Sequence, residues 1–346
     1  MIEELNKLYD DGLLHKQFHP TYPLIIWNYS PRVQYEKLWT PLLMKCRGLV
    51  TDFDGNIIAR PFKKFFNYEE YLENAPHMIP NEPFEVFEKM DGSLGILFHY
   101  KDEWILATRG SFTSDQAIKG KEILSKYRLD LLFTDCTYLL EIIYPENRIV
   151  VPYNDEKLVL LSIIHTETGI EMEYEKLIFS TIHSNIPFVK RYNGIDDYST
   201  LKSIISNDAE GFVIRFKNGF RMKIKGDEYC RLHRILTNIS SRDIWEYLKE
   251  NKPLDDILEK VPDEFYSWVK ETIRDLTNQY NTIKTTVELE FKELINKKEY
   301  AEKVKDKKYK SLLFKRLDSY SDSYDKMIWD LIYPDYVKPF KKDIDG

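Results

Sequence analysis

Through residue 225 or so, apolar positions come in short alternating bursts; from about residue 240 they recur every three or four residues. The first texture predicts strands and the second predicts helices. Residues 1–20 read as a helix followed by a loop, and 22–29 as a strand ending in the aromatic pair Trp27 and Tyr29. The segment 45–52 runs into Asp54-Gly55, a hairpin signal, and returns over 56–59. Apolar runs at 84–87 and 94–100 flank a turn holding Lys89-Met90-Asp91-Gly92, and the second run reads as a strand returning from it. Strands are expected at 104–108, 138–144 and 158–164, with a helix over 115–128 and a mix of helix and loops over 171–206. Segments 209–216 and 220–225 form a hairpin about Asn218-Gly219.

The later texture is different. After Pro262-Asp263 the positions Phe265, Trp268, Val269, Ile273, Leu276, Tyr280, Ile283, Val287, Phe291 and Leu294 keep three/four spacing, which predicts one long amphipathic helix with Asp263 as its N-cap. No internal repeat or low-complexity linker interrupts the chain. The expected organisation is therefore an α+β domain over 1–240, with antiparallel sheets flanked by helices, and an all-helical domain over 241–346.

Composition narrows the class. The length of 346 residues suits about two domains. A net charge of −7 argues against a general polyanion binder, since such binding relies on Lys and Arg neutralising phosphates. A groove can still be locally basic. Residues 292–316 hold ten Lys/Arg against four Asp/Glu, readable as a solvated helix face or as a contact surface for RNA phosphates. Cys46, Cys136 and Cys230 are odd in number and far apart, and fit neither a disulfide framework nor a zinc site. With no apolar run near the ~18 residues needed to cross a bilayer and no signal-peptide pattern, a soluble protein of the reducing cytoplasm, monomeric and not membrane-bound, is expected.

The candidate chemistry gathers around Lys89. A lysine at a strand end, followed by a Gly-assisted turn, can aim its amine into a cleft between two sheets. Glu141 lies in a strand apolar enough that a carboxylate there is costly unless paired or bound, although simple alternation could also turn it to solvent. Glu210-Gly211 opens a later strand, and Lys223 and Lys225, two apart, share one face of its partner. Arg47-Gly48 lies upstream, and in 60–67 basic and aromatic residues interleave. Local sequence alone favours a solvated loop for Lys63 and Lys64.

Any one of these motifs is weak; their order and spacing are not. Cys-Arg-Gly at 46–48, Arg-Pro-x-x-Lys-Phe-Phe-Asn at 60–67, Lys-x-Asp-Gly-Ser at 89–93, Glu-x-x-x-Pro-x-Asn-Arg-Ile-Val at 141–150, Glu-Gly-x-Val at 210–213 and Lys-Ile-Lys at 223–225 resemble the covalent nucleotidyltransferases. Motif by motif they look most like the ATP-dependent RNA ligase 1 family, with which T-even bacteriophages repair broken tRNA. The resemblance covers roughly residues 1–240.

It implies a ligase fold of the nucleotidyltransferase (ATP-grasp-like) type, with ATP and Mg²⁺ (or Mn²⁺) as cofactors. Lys89 would become a lysyl-AMP, with Lys223 and Lys225 on the phosphates. The resemblance also implies an ATP site that includes Asp91 and Gly92 of the motif, puts Arg47 and Lys64 near the nucleotide phosphates, and makes Phe66 a stacking partner for adenine. Glu141 and Glu210 would contact ribose or hold the metal through water, and Asp255 would be a further metal carboxylate. Arg109 stands where the family offers a lysine, so a planar fork replaces a point charge. The partner would be RNA with 5′-phosphate and 3′-hydroxyl ends, single-stranded or as nicked tRNA. GTP-dependent capping enzymes and DNA ligases use the same lysine, but usually follow the second lysine of the later pair with a five-stranded barrel that the helical tail does not offer. A non-catalytic RNA-end-binding module is the alternative of another class.

Overall fold

The computed structural model describes residues 1–147, 150–151, 153–206, 209–227, 229–230, 239–258, 266–291, 297–317, 322–335 and 337. It divides into two compact units, Met1–Leu236 and Thr237–Gly346. Among the described residues no helix is long and apolar enough to cross a membrane.

The first unit carries three sheets. Strands β1 (Leu14–Phe18), β2 (Leu24–Tyr29), β3 (Arg47–Asp52) and β4 (Ile57–Ala59) form an antiparallel meander. Where the sequence suggests a loop after the first helix, Ile2–Asp10, β1 adds an edge strand held by pairing to β2, a long-range term that local propensity does not contain. Next in the chain come β5 (Phe66–Asn67), β6 (Phe84–Lys89), β7 (Ser93–Tyr100), β8 (Glu103–Thr108), β9 (Cys136–Ile143) and β10 (Lys157–His165). They are followed by β11 (Arg191–Tyr192), β12 (Gly211–Phe216) and β13 (Arg221–Lys225). The second sheet has the order β10-β9-β7-β8, and the third β11-β6-β12-β13-β5.

That order corrects one expectation. Strand β7 does not return against β6 as a hairpin; the Lys89 turn passes the chain from the third sheet to the second. The helix expected over 115–128 stops at Leu124, and the segment 171–206 contains the short strand β11 besides its helix Tyr174–Thr181.

Side chains of β9 alternate between the two faces of the second sheet. In β9 the side chains of Tyr138, Leu140 and Ile142 point to one core, shared with Ile123 and Leu124 of the helix Asp115–Leu124 and with Leu177. On the opposite face Leu139 packs on Leu24, Ile26 and Val50 of the first sheet, whereas Ile143 packs with Phe87 of the third. Two different sheets therefore lean against one face of the second, and Glu141 stands between the two contacts.

The second unit is helical in every element described: Ser241–Lys249, Asp255–Leu258, Tyr266–Glu290, Lys297–Val304, Lys310–Leu317 and Asp322–Leu331. The long helix buries Val269, Leu276, Ile283 and Val287, four of the positions that predict it. Tyr280 stacks on Trp329 with centroids 4.7 Å apart. The Pro262-Asp263 start, Phe265 and Leu294 lie outside the described residues.

Candidate active site

The third sheet supplies the floor. Register places Lys89 of β6, Gly211 of β12 and Lys225 of β13 abreast, and Phe87, Val213 and Lys223 form the next row. The Lys89 Nζ lies 2.7 Å from Glu210 Oε1, and the Lys225 Nζ 3.6 Å from the same oxygen. Glu210 is 4% exposed and Lys89 21%, so the carboxylate is the buried anchor and the Lys89 amine the more accessible end. One row further, Arg215 and Arg221 both ion-pair with Glu171, and Arg215 also with Glu85. These four charges hold the row beneath Lys223, and nothing in the order of motifs indicates them. The period-two run Arg221, Lys223, Lys225 on one strand is the available signal.

The Lys89 turn is tied down from behind. Asp91 is 2% exposed, and its Oδ2 accepts from the amides of Val150 (2.8 Å) and Val151 (2.7 Å). Its Oδ1 accepts from the Tyr229 hydroxyl at 2.8 Å, while its own amide donates to the Tyr153 hydroxyl at 3.1 Å. Asp91 thus couples the lysine turn to the segments after β9 and β13. Tyr153 and Tyr229 have no motif to announce them. The Gly92 amide donates to Glu141 Oε1 at 3.0 Å. A Cβ at Gly92 would lie 2.6 Å from the Ile142 carbonyl oxygen, so only glycine lets the turn come this close to β9. Asn147 joins in by donating to Ser93 Oγ at 3.0 Å; Arg148 and Ile149 of the same motif lie outside the described residues.

Glu141 therefore faces the cleft, not bulk solvent as alternation alone allows. Burial pushes its carboxyl up to about 7, and the like charge of Glu210 adds to this, while Lys89, the Gly92 amide and Arg47 oppose it. The sign of the linkage is fixed by that direction. The folded state holds the Glu141 proton more tightly than the unfolded chain, whose ordinary carboxyl value is 4.5. Stability from this group is full below 4.5 and is lost as pH rises toward about 7. Thermal melts of ligand-free wild type and Glu141→Gln between pH 5 and pH 7.5 (roughly that window) should converge on the acid side, with only the wild type falling as pH rises. Parallel curves would refute the assignment.

Arg47 opens β3, opposite Asn28 across a bulge in which Gly48 is the extra residue. Arg109 follows β8, exposed, with its guanidinium 5.8 Å from the Tyr29 ring. Lys63 is exposed, as the loop reading has it, but Lys64 is not: it is 5% exposed, donates to Gln34 Oε1 at 2.9 Å, and sits 5.3–5.6 Å from the rings of Phe66, Trp39 and Tyr29. The solvated-loop reading fails there because the hairpin end, the short helix Pro31–Tyr35 and β5 converge on one ammonium. The Phe66 ring packs edge-on against Trp39 and Tyr71. Its β5 position pairs with Met222, on the sheet face away from Lys223 and Lys225. Asp255 opens the helix Asp255–Leu258 in the second unit.

The donor set fits a hydrated divalent cation. Among the described residues no three His, Cys, Asp or Glu side chains converge on one point. Two carboxylates, Glu141 and Glu210, do feel one another across the cleft. Mg²⁺ keeps several waters and commonly takes one or two carboxylates plus substrate phosphates, which is what this pair can offer.

Three sheets contribute to one cleft, with a lysine at the turn between two of them. A solved archaeal ATP-dependent RNA ligase has the same fold, with a TM-score of 0.51 at 15% identity over 79% of this chain and 74% of its own. The family model for RNA ligase of the T4 type 1 matches residues 45–229, more than half of the sequence. The chain belongs to the RNA ligase family. It is 24% identical to the RNA ligase of Rhodothermus phage RM378, covering 94% of this chain and 90% of that one. It is 27% identical to a putative bifunctional polynucleotide kinase/RNA ligase of Autographa californica nuclear polyhedrosis virus, over 87% of this chain but 46% of the relative. The chain thus spans about half the length of that relative.

Proposed function

We propose that this chain is an ATP-dependent enzyme that joins an RNA 3′-hydroxyl to an RNA 5′-phosphate through a covalent AMP on Lys89. The observation that carries the reading is the row Lys89–Gly211–Lys225, with Glu210 beneath it and Glu141 beside it. It gives one amine at the mouth of a cleft and further cations on the same floor.

In the first step the Lys89 amine attacks the α-phosphorus of ATP. An N–P bond forms, the α–β anhydride breaks, and pyrophosphate leaves opposite the amine. Lys225 and Lys223, on the strand two away, neutralise charge that builds on the α-phosphate, and Arg47 approaches from the first sheet. Glu210 holds both Lys89 and Lys225 in place before the nucleotide arrives. In the second step an oxygen of the RNA 5′-phosphate attacks the same phosphorus, and the lysine leaves as a 5′–5′ pyrophosphate forms. In the third, the 3′-hydroxyl attacks the RNA phosphorus and AMP departs. A divalent cation held by Glu141 and Glu210 through water would supply further positive charge to the phosphates when bound.

The test is retention of label. Protein mixed with α-labelled ATP and then denatured should keep the label, whereas γ-labelled ATP should leave none. No label from either would end the reading, and preference for GTP would move the chain to the capping class.

The second unit is assigned to RNA selection, with nicked tRNA as the substrate. Among the described residues, the basic run holds ion pairs of Lys305 with Glu302, Lys307 with Glu290 and Arg316 with Glu288. A chain ended at Leu236 is expected to join linear single strands while losing most of its preference for nicked anticodon loops. Equal joining of both substrates by full-length and shortened chains would refute the assignment.

A further inference from the structure

Strand β2 alternates cleanly. Ile25, Trp27 and Tyr29 point to the core beneath the N-terminal helix, and Leu24 and Ile26 point to the core shared with the second sheet. Asn28 is the next position on the Leu24–Ile26 face, a polar residue ending an apolar stripe. The facing strand β9 does the same, with Leu139 in that core and Glu141 following it. Arg47, the register partner of Asn28, is close enough to Glu141 to oppose the rise in its carboxyl. On its other side Asn28 meets the segment after β8: a Cβ at Gly110 would lie 3.5 Å from its Nδ2. Asn28 thus stands beside Arg47 and the Arg109-Gly110 loop, and Arg47 in turn acts on Glu141.

Its amide is uncommitted. The Oδ1 is buried and has no hydrogen-bond partner among the described residues. A buried acceptor left unpaired is costly, and native proteins rarely keep one without a use. Tyr29, its neighbour, instead packs against Trp39 and under Arg109.

We infer that Asn28 is a nucleotide-binding residue: its side-chain amide hydrogen-bonds the nucleoside part of ATP. This deepens the function proposed above and rests on it. An amide offers a donor and an acceptor side by side, and so suits a group presenting the complementary pair. ATP has two, the amine edge of adenine and a ribose hydroxyl. Exchanging the two ends of the amide leaves the same donor and acceptor at this position. An orphan acceptor explains why an asparagine tolerates this face: the free protein carries the cost and the nucleotide removes it.

The experiment is single-turnover labelling of Lys89 across ATP concentrations in wild type, Asn28→Leu and Asn28→Asp. The half-saturating ATP concentration should rise roughly three- to tenfold in Asn28→Leu, with the saturating rate nearly unchanged, as expected for one lost hydrogen bond. Ligand-free melts should show Asn28→Leu at least as stable as wild type. Two analogue arms separate the sources: purine riboside triphosphate lacks the 6-amine, and 2′- and 3′-deoxy-ATP each lack one hydroxyl. The analogue missing the contacted group should bind wild type more weakly than ATP, and Asn28→Leu should no longer tell it from ATP. If Asn28→Leu does not fold, Asn28→Asp, equal in shape, supplies the comparison. An unchanged half-saturation, or a rise with every analogue still distinguished as in wild type, overturns the inference. Wild type that retains no AMP overturns the earlier reading instead.

Discussion

Lys89→Ala should retain no AMP after denaturation, a loss of several orders of magnitude because no other amine stands at the same place on the row. The fold should survive. Lys89 is partly exposed, and Glu210 keeps Lys225 at 3.6 Å when the first partner is gone. Lys89→Arg should fail equally, since a guanidinium keeps the charge yet does not give up its proton to become a nucleophile. The steps also separate. RNA supplied with a ready-made 5′–5′ AMP cap needs no lysine nucleophile, so Lys89→Ala should still seal it without ATP. Gel analysis of the labelled protein reads the first result, and product formation from capped RNA reads the second. Label surviving on Lys89→Ala would sink the central claim; failure on capped RNA would show that Lys89 also acts after the first step.

Gly211→Ala should be nearly as damaging by a different route. Gly211 has φ +143, where an L side chain is strained, and an added Cβ would lie 2.0 Å from the Ile224 carbonyl oxygen and 2.9 Å from the Lys225 Cα. Backbone cannot yield as a side-chain tip does, so β12 and β13 must separate at the row that carries Lys89 and Lys225. The cost should be on the order of 3 kcal/mol, from positional strain and broken pairing together. Denaturant melts should show it as a lower midpoint, and labelling per folded molecule should fall as well, because the amine and its partners no longer sit abreast. A variant that melts and labels like wild type would refute the claim that this spacing is what the site needs.

The motifs legible in the chain are those whose spacing encodes chemistry directly: the lysine turn, the two Glu strands and the lysine pair. Strand alternation alone puts Lys223 and Lys225 on one face, and register between strands then sets Lys225 beside Gly211. The partners of Asp91 are not legible, since Val150, Val151 and Tyr229 are 59 to 138 residues away. Nor is the burial of Lys64, whose shielding comes from Gln34, Trp39 and Tyr29 upstream and Phe66 two residues on. Local signals for a loop and for a buried ammonium are the same there; only convergence of distant elements separates them.

By itself, then, the sequence determined the strand-then-helix layout and the order of the reactive groups, because side-chain period and turn chemistry are local properties. Tertiary structure decided which sheet each strand joined, and so that Lys89 sits where the chain crosses between sheets instead of at a hairpin tip. It also decided that Glu141 faces the cleft. Alternation assigns it a face but cannot say what covers that face, and two sheets leaning on that one face of β9, at Leu139 and at Ile143, leave between them the gap that Glu141 lines.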